Sequence, residues 1–227
     1  MKTIAVIPAL NCEKTISKVV KNLNGLVDEI IVVDDGSIDE TKNNGHTNGA
    51  VVISHPQNKG LGEALKTGFK QALKRDADII VTLDGDGQHK PADVQRVMDL
   101  LINNHCDVVI GSRLLKKEGW RNFPKHRLWG NLILTLLTNA AIGKKITTDS
   151  QSGYRAFKRK VVKKINLQSS RMAIASEIIF ETAKNKFTIK EVPIKATYED
   201  EISNQRLIID PLRIMRMLFS KSLRKRP

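Results

Sequence analysis

Aromatic side chains are scarce: two Trp, two Tyr and six Phe in 227 residues, 4% of the chain. No run interleaves them with basic residues, which argues against a surface that stacks nucleobases. Cysteine is rarer still, at Cys12 and Cys106. Two thiols without metal-ligand spacing exclude a disulfide framework and fit a reduced, cytoplasmic compartment. No stretch reaches the ~18 apolar residues of a membrane span. The longest apolar segment, Leu128 to Ile142, is interrupted by Gly130, Asn131, Thr135, Thr138 and Asn139. The N-terminus runs straight into a strand pattern, so the chain reads without a signal peptide. Acidic residues are in deficit: 24 Asp and Glu stand against 38 Lys and Arg, a formal net charge of +14. That excess asks for an anionic partner, whether nucleic acid, a phosphorylated substrate or an anionic membrane face.

What is present suffices for one large α/β domain, with 41% apolar content to build its core. Strand patterns cover Thr3–Ile7, closed by Pro8, then Glu29–Val33, Ala50–Ser54, Ile79–Leu83 and Asp107–Gly111. Helix patterns lie between them. One runs from Cys12 to Leu23 with Asn11 as its cap and Ile16, Val19, Val20 and Leu23 on one face. Others run from Leu61 to Lys74 and from Pro91 to about Asn103. Continuous apolar strands between amphipathic helices predict a Rossmann-like, mostly parallel sheet covered on both faces. Ligands of such sheets sit outside the carboxyl ends of the strands. The polar clusters at 8–13, 34–37, 84–88 and 111–113 all fall at those ends.

The second half changes character. Leu128, Trp129, Leu132, Ile133, Leu136, Leu137 and Ala140 form a helical stripe, preceded by Lys125, His126 and Arg127 and followed by Lys144 and Lys145. Met172–Lys186 reads as a helix, and Ile189–Ile194 as a strand with Pro193 at its end or edge. The tail 208–227 carries Ile208, Ile209, Leu212, Met215 and Phe219 on one side, together with Arg213, Arg216, Lys221, Arg224, Lys225 and Arg226. Such a basic amphipathic helix either lies on anionic lipid or packs on the domain with a solvated basic end. Membrane-facing amphipathic helices are therefore part of the expected architecture.

The most informative run is Asp84-Gly85-Asp86-Gly87-Gln88, just past an apolar strand. Two carboxylates and an amide oxygen at alternate positions are hard ligands. They suit Mg²⁺ or Mn²⁺ bound together with a substrate phosphate. A polar turn would use the same residue types. His89 beside the loop reads as structural, since three oxygens are already on offer.

The order of the motifs resembles the family 2 glycosyltransferases of glycosyltransferase A fold, and within them the dolichol-phosphate mannosyltransferase and polyprenyl-phosphate glycosyltransferase branch. The matching pieces are Ile7 to Asn11, Val33 to Ser37, Asn58 to Gly62, Asp84 to Gln88, Gly111 to Arg113, Asp149 through Ser152 to Arg155, and Glu191 to Pro193. They span most of the chain. The resemblance implies a nucleotide-sugar half at 1–112 and an acceptor half at 113–207, together one catalytic domain at 1–207, with 208–227 as a basic tail.

By resemblance, nucleotide contacts fall to Pro8, Leu10, Asn11, Cys12, Asp34, Asp35, Asp84, Gly85 and Asp86, with Arg206 near Ser203 as the late basic residue reaching the diphosphate. The family usually has Tyr and Glu where Leu10 and Cys12 stand, and Glu13 is one position away. Asp84, Asp86 and Gln88 map onto metal and diphosphate ligands, and Asp86, Arg113 and Arg127 onto the catalytic set. A polyprenyl phosphate is already ionised at neutral pH and needs cations rather than a general base. Arg113 and Arg127 fill that role by resemblance, with Asn131, Asp149 and Ser152 lining the acceptor site. Asp149 touches metal or orders the arginines. Glu177 matches an acidic family position or is a solvated helix-face charge.

The implied activity is inverting transfer of a sugar from GDP-mannose or a UDP-hexose to a polyprenyl or dolichyl phosphate by a peripheral enzyme on the cytoplasmic membrane face. An integral-membrane partner is the other route to the lipid. Alternatively the acceptor is a polysaccharide, glycolipid or protein hydroxyl, in which case Asp149 or Glu177 serves as base. A nucleotidyltransferase would want a glycine-rich loop with a trailing basic residue after the first strand, which Pro8-Ala9-Leu10-Asn11 is not.

Overall fold

A computed structural model describes residues 1–88, 90, 93–103, 105–121, 123–196, 214, 215 and 217. Its strands are β1 (Thr3–Ala9), β2 (Glu29–Asp34), β3 (Val51–Ser54), β4 (Ile79–Thr82), β5 (Val108–Ser112), β6 (Arg155–Lys158) and β7 (Ile189–Pro193). Its helices are α1 (Ile16–Leu23), α2 (Thr41–Thr47), α3 (Leu61–Lys74), α4 (Asp93–Asn103), α5 (Lys117–Arg121), α6 (Lys125–Ile142), α7 (Arg159–Lys164) and α8 (Ile174–Lys184). Among the described residues the strands form a single sheet in the order β3-β2-β1-β4-β6-β5-β7. Every neighbouring pair is parallel except those made by β6, which runs antiparallel between β4 and β5. The expected mostly parallel α/β sheet with helices on both faces is what the chain forms.

Apolar residues fill both sides of each inner strand. Ala5, Ile7, Val32 and Val81 pack under α1 and α4 on one face. Ile4, Val6, Ile31, Ile80 and Ile110 pack under α3 and α8 on the other. α3 reaches the sheet through Gly68, where an added Cβ would lie 2.2 Å from Val6 Cγ1. A smaller cluster joins α6 to α8 through Leu134, Ala173 and Phe180, and Ile214 of the tail is buried in it.

Several boundaries differ from expectation. α1 begins at Ile16, not Cys12, and Asn11 is not its cap: Asn11 takes a left-handed φ of 52°, and Thr15 holds the N-cap position. Four elements carry no clear periodicity in sequence. α2 is polar throughout, α5 and α7 are short, and β6 is a four-residue strand. Pro91, His89, Ser203, Arg206 and most of the tail lie outside the described residues. Where the tail is described, Ile214 is buried against the domain while Met215, counted on the apolar side, is largely exposed.

Two features place the 84–88 loop. Pairing of β1 with β4 runs to Val6 and Thr82, and beyond it the Gly85 amide still donates to the Pro8 carbonyl at 3.3 Å, so the loop starts against the end of β1. Because β6 is antiparallel, its first residue, Arg155, pairs with Thr82 at the carboxyl edge. The approach to β6, residues 149–154, is thereby brought beside the metal loop. Gly68→Ala is expected to cost about 1–3 kcal/mol net, despite the ~1 kcal/mol of helix propensity gained. A lower urea midpoint with unchanged slope checks this.

Candidate active site

The loops at the carboxyl ends of β1, β2 and β4 are laced together. The Asn11 amide donates to Ser37 Oγ at 2.9 Å, and Asn11 Oδ1 accepts from the Ile38 amide at 3.1 Å. The Cys12 amide donates to Thr41 Oγ1, and the Glu13 amide to Asp39 Oδ2. Thr15 Oγ1 donates to the Gly85 carbonyl at 2.7 Å, tying the same stretch to the metal loop. Burial is the main cause that pushes the Cys12 thiol up to about 11, and Asp86, Asp39 and Asp84 nearby push the same way. Cys12 is therefore a neutral wall residue beside the carboxylates.

Asp34 and Asp35 are both buried. Asp34 Oδ1 accepts from the Ser37 amide at 3.0 Å, the Asx turn its sequence allows. Asp35 is committed more heavily. Its carboxylate accepts from the amides of Lys59 and Gly60, at 3.0 and 2.7 Å, and bonds His55 Nδ1 at 2.6 Å. His55 Nε2 reaches Thr67 Oγ1 on α3. Asp35 thus fastens the Asn58–Gly62 motif to the end of β2. His55 was missed in the sequence because a lone histidine carries no spacing signal.

Asp84, Asp86 and Gln88 fall on one loop, all half-buried. The Gln88 amide donates to Asp86 Oδ1 at 2.9 Å, and Gly87 takes the left-handed φ of 77° that the turn requires. Burial raises the Asp84 carboxyl, and the charges of Arg113 and Arg155 pull it back part of the way. No group of three or more Asp, Glu, His or Cys residues able to hold a metal occurs among the described residues. The donor set fits a hard divalent cation that takes its remaining ligands from substrate phosphate and water.

On the acceptor side the structure reorders the expected residues. Asp149 has no exposure and accepts from the Arg113 amide at 3.1 Å, Arg113 Nε at 2.7 Å, Arg113 Nη2 at 2.9 Å and Asn131 Nδ2 at 2.7 Å. Burial alone would raise its carboxyl. The Arg113 charge and these hydrogen bonds outweigh that and hold it below the ordinary range. Asp149 therefore orders Arg113, the choice the sequence left open. Phe123 stacks on the same guanidinium, 5.1 Å from carbon to ring centre.

Asn131 and Ser152 were expected to line the acceptor. Both are buried: Asn131 lies between Asp149 and Thr135 Oγ1, and Ser152 Oγ donates to the Gly111 carbonyl at 2.6 Å. With Asp149 they support the site from behind, while Arg113, 12% exposed, and half-buried Arg127 stand nearer solvent. The physical reason is that polar side chains satisfied by each other can occupy the interior, which residue type alone does not reveal.

Glu191, of the Glu-Val-Pro motif, fixes the approach to Asp149. Its carboxylate accepts from the Thr147 hydroxyl at 2.7 Å and the Thr148 amide at 2.8 Å. Glu177 is not a solvated helix-face charge. It is fully buried on α8 and accepts from the amides of Gln168 and Ser169 at 2.9 and 2.8 Å. The Ser170 carbonyl in turn accepts from the Gly62 amide at 2.8 Å, joining this clamp to the start of α3.

α6 is inverted. Its buried side presents Asn131, Thr135 and Thr138 beside Leu134, whereas Trp129, Ile133 and Leu136 are 67%, 51% and 69% exposed. The polar side bonds inward, Thr135 to Ser150 Oγ and Thr138 to Ser176 Oγ. No helix among the described residues is long and apolar enough to cross a membrane.

Residues 4–166 match the model of "Glycosyl transferase family 2". A UDP-N-acetylglucosamine–dolichyl-phosphate N-acetylglucosaminyltransferase of Methanococcus voltae is 41% identical over 215 residues, covering 86% of this chain and 85% of that protein. A polyprenol monophosphomannose synthase of Mycolicibacterium smegmatis is 30% identical, covering 86% and 77%. These relatives bear out the resemblance to the polyprenyl-phosphate branch. Among solved structures, glucosyl-3-phosphoglycerate synthase of Mycobacterium tuberculosis, in a complex with Mn²⁺, UDP-glucose and phosphoglyceric acid, superposes with a TM-score of 0.76. The match covers 97% of this chain and 79% of that one at 23% identity, a likeness of fold.

The depressed Asp149 carboxyl stabilises the fold fully above its unfolded pKa of about 3.9, and that contribution is lost as pH falls through the lower folded value. Urea midpoints are expected to drop on acidification below about pH 4. Asp149→Asn, which leaves the Arg113 charge without its counter-ion, is expected to cost about 3–5 kcal/mol at neutral pH and to flatten that acid dependence.

Proposed function

The chain belongs to glycosyl transferase family 2, and on that premise we propose that it transfers a sugar, with inversion, from a nucleotide diphosphate to a polyprenyl or dolichyl phosphate at an anionic membrane surface. The donor is GDP-mannose or a UDP-hexose. Asp84, Asp86 and Gln88 would hold the cation, Mg²⁺ or Mn²⁺. When bound, it supplies Lewis-acid neutralisation of the charge that develops on the leaving diphosphate.

The chain's own residues do the rest. The laced loops around Pro8, Leu10, Asn11, Asp34 and Asp35 form a rigid seat for the nucleoside. Arg113 is fixed on one edge by Asp149 and on one face by Phe123, so it meets an acceptor phosphate already oriented. Arg127, on the first turn of α6, supplies the second cation. The ionised phosphate then attacks the anomeric carbon from the side opposite the departing diphosphate, which inverts the configuration. No proton has to be removed.

The observation that carries this reading over a hydroxyl acceptor is that both candidate bases are spent. Asp149 is saturated by Arg113 and Asn131, and Glu177 is fully buried with each oxygen accepting from a backbone amide. α6 supports the membrane setting. A face of Trp129, Ile133 and Leu136 beside Arg127 suits the boundary between acyl chains and anionic head groups.

Two measurements test the proposal. With a short polyprenyl phosphate and a panel of labelled GDP- and UDP-sugars, one label is expected to enter the organic phase. Arg113→Ala should lower that turnover about 100-fold or more. Label appearing only in a water-soluble glycan would overturn the lipid acceptor. In sedimentation with anionic vesicles, Trp129→Glu combined with Leu136→Glu is expected to reduce binding. Equal sedimentation of that variant would remove α6 from the membrane contact.

A further inference from the structure

Ser152 was expected on the acceptor side, yet the two residues after it meet the 84–88 loop: the Gly153 backbone backs Asp84, and the Tyr154 hydroxyl reaches the Lys90 carbonyl just past the loop. We propose that this segment is the backing of that loop, and that Gly153 and Tyr154 are positioning residues that set how tightly Asp84, Asp86 and Gln88 hold a divalent cation. The proposal rests on the reading of those three residues as cation ligands.

Gly153 matters for space rather than conformation. A Cβ built there would stand 2.5 Å from Asp84 Oδ2 and 2.6 Å from Asp84 Oδ1. Both carboxylate oxygens therefore lean directly on this backbone, and any side chain at 153 must push them away. The glycine cannot easily retreat. Thr82 Oγ1 donates to its carbonyl at 2.7 Å, and the neighbouring Ser152 hydroxyl donates to the Gly111 carbonyl at 2.6 Å. The stop behind Asp84 is thus built from the ends of β4, β5 and β6 together.

Tyr154 holds the other end of the loop. It is fully buried, and its ring packs on Gly111, where an added Cβ would meet Tyr154 Cδ1 at 3.2 Å. Its hydroxyl donates to the carbonyl of Lys90 at 3.3 Å, two residues beyond Gln88. Arg155 completes the set. Its buried guanidinium donates to the Ser150 carbonyl at 2.8 Å and places a positive charge close to Asp84. The loop is consequently held at its start by Gly153, at Gly85 by Thr15 Oγ1, and past its end by Tyr154. A small divalent cation demands near-ideal ligand geometry, so displacements of a few tenths of an ångström weaken it.

The test is Mn²⁺ titration of the full chain, following the signal of free Mn²⁺ by electron paramagnetic resonance with UDP or GDP present. Gly153→Ala is expected to weaken Mn²⁺ binding about tenfold or more, and Tyr154→Phe several-fold. Binding of the same nucleotide in chelator should stay unchanged in both. A merely structural role would lower the melting temperature and leave the Mn²⁺ affinity of the folded protein as it was. Asp86→Asn is the reference variant. If it abolishes Mn²⁺ binding while folded Gly153→Ala and Tyr154→Phe bind within about twofold of wild type, the positioning role is overturned. Should Gly153→Ala fail to fold, Tyr154→Phe alone decides, since it removes one hydroxyl from an otherwise unchanged ring. If Asp86→Asn leaves binding unaltered, the reading of the loop as a cation site falls, and this proposal with it.

Discussion

A carboxylate with no access to solvent, Asp149, grips Arg113 by its backbone amide and by two guanidinium nitrogens. A buried charge is costly unless every lone pair is used, and here the remaining direction is taken by Asn131 of α6. One side chain thereby joins the end of β5, the first half of α6 and the approach to β6. Glu191 holds that approach from β7, and Ser112 Oγ meets Thr148 Oγ1 at 2.7 Å. Arg113 cannot move without disturbing all of these elements. This edge of the sheet is a frame of mutually satisfied polar groups with an arginine presented at its rim.

The loops around β2 and α3 are built by the same logic with different residues. Asp35 takes the amides of Lys59 and Gly60, so the loop before α3 is fixed to the end of β2. Glu177 fixes the 168–169 backbone, and the adjoining Ser170 carbonyl receives the first amides of α3. The two halves of the domain meet there through backbone hydrogen bonds. Carboxylates that look catalytic by type are, in three places, fasteners of loops. Asp84 and Asp86 on the metal loop are arranged differently, as half-buried groups on one turn past β4.

α6 shows why periodicity leaves a choice open. Its apolar stripe was plain in the sequence, but a stripe has the same spacing whether it faces core or solvent. The decision came from Asn131, Thr135 and Thr138, which find partners in Asp149, Ser150 and Ser176 and so turn inward. Those partners lie up to 38 residues away and share no local pattern with the helix. The burial of Ser152 and Glu177 was hidden for the same reason. A polar residue reads as exposed until its hydrogen-bonding partners are known.

The sequence by itself determined the alternation of apolar strands and amphipathic helices, the mostly parallel sheet, the acidic loop at its carboxyl edge and the family. These are local signals: side-chain periodicity, glycine and aspartate at a turn, and motif order. Only the tertiary structure decided that β6 runs antiparallel between β4 and β5, that Asp149 belongs to Arg113, and that α6 shows its apolar side outward. Each of these depends on which distant groups satisfy one another once water is excluded. Pairing of that kind is a property of the assembled interior, and no window of sequence contains it.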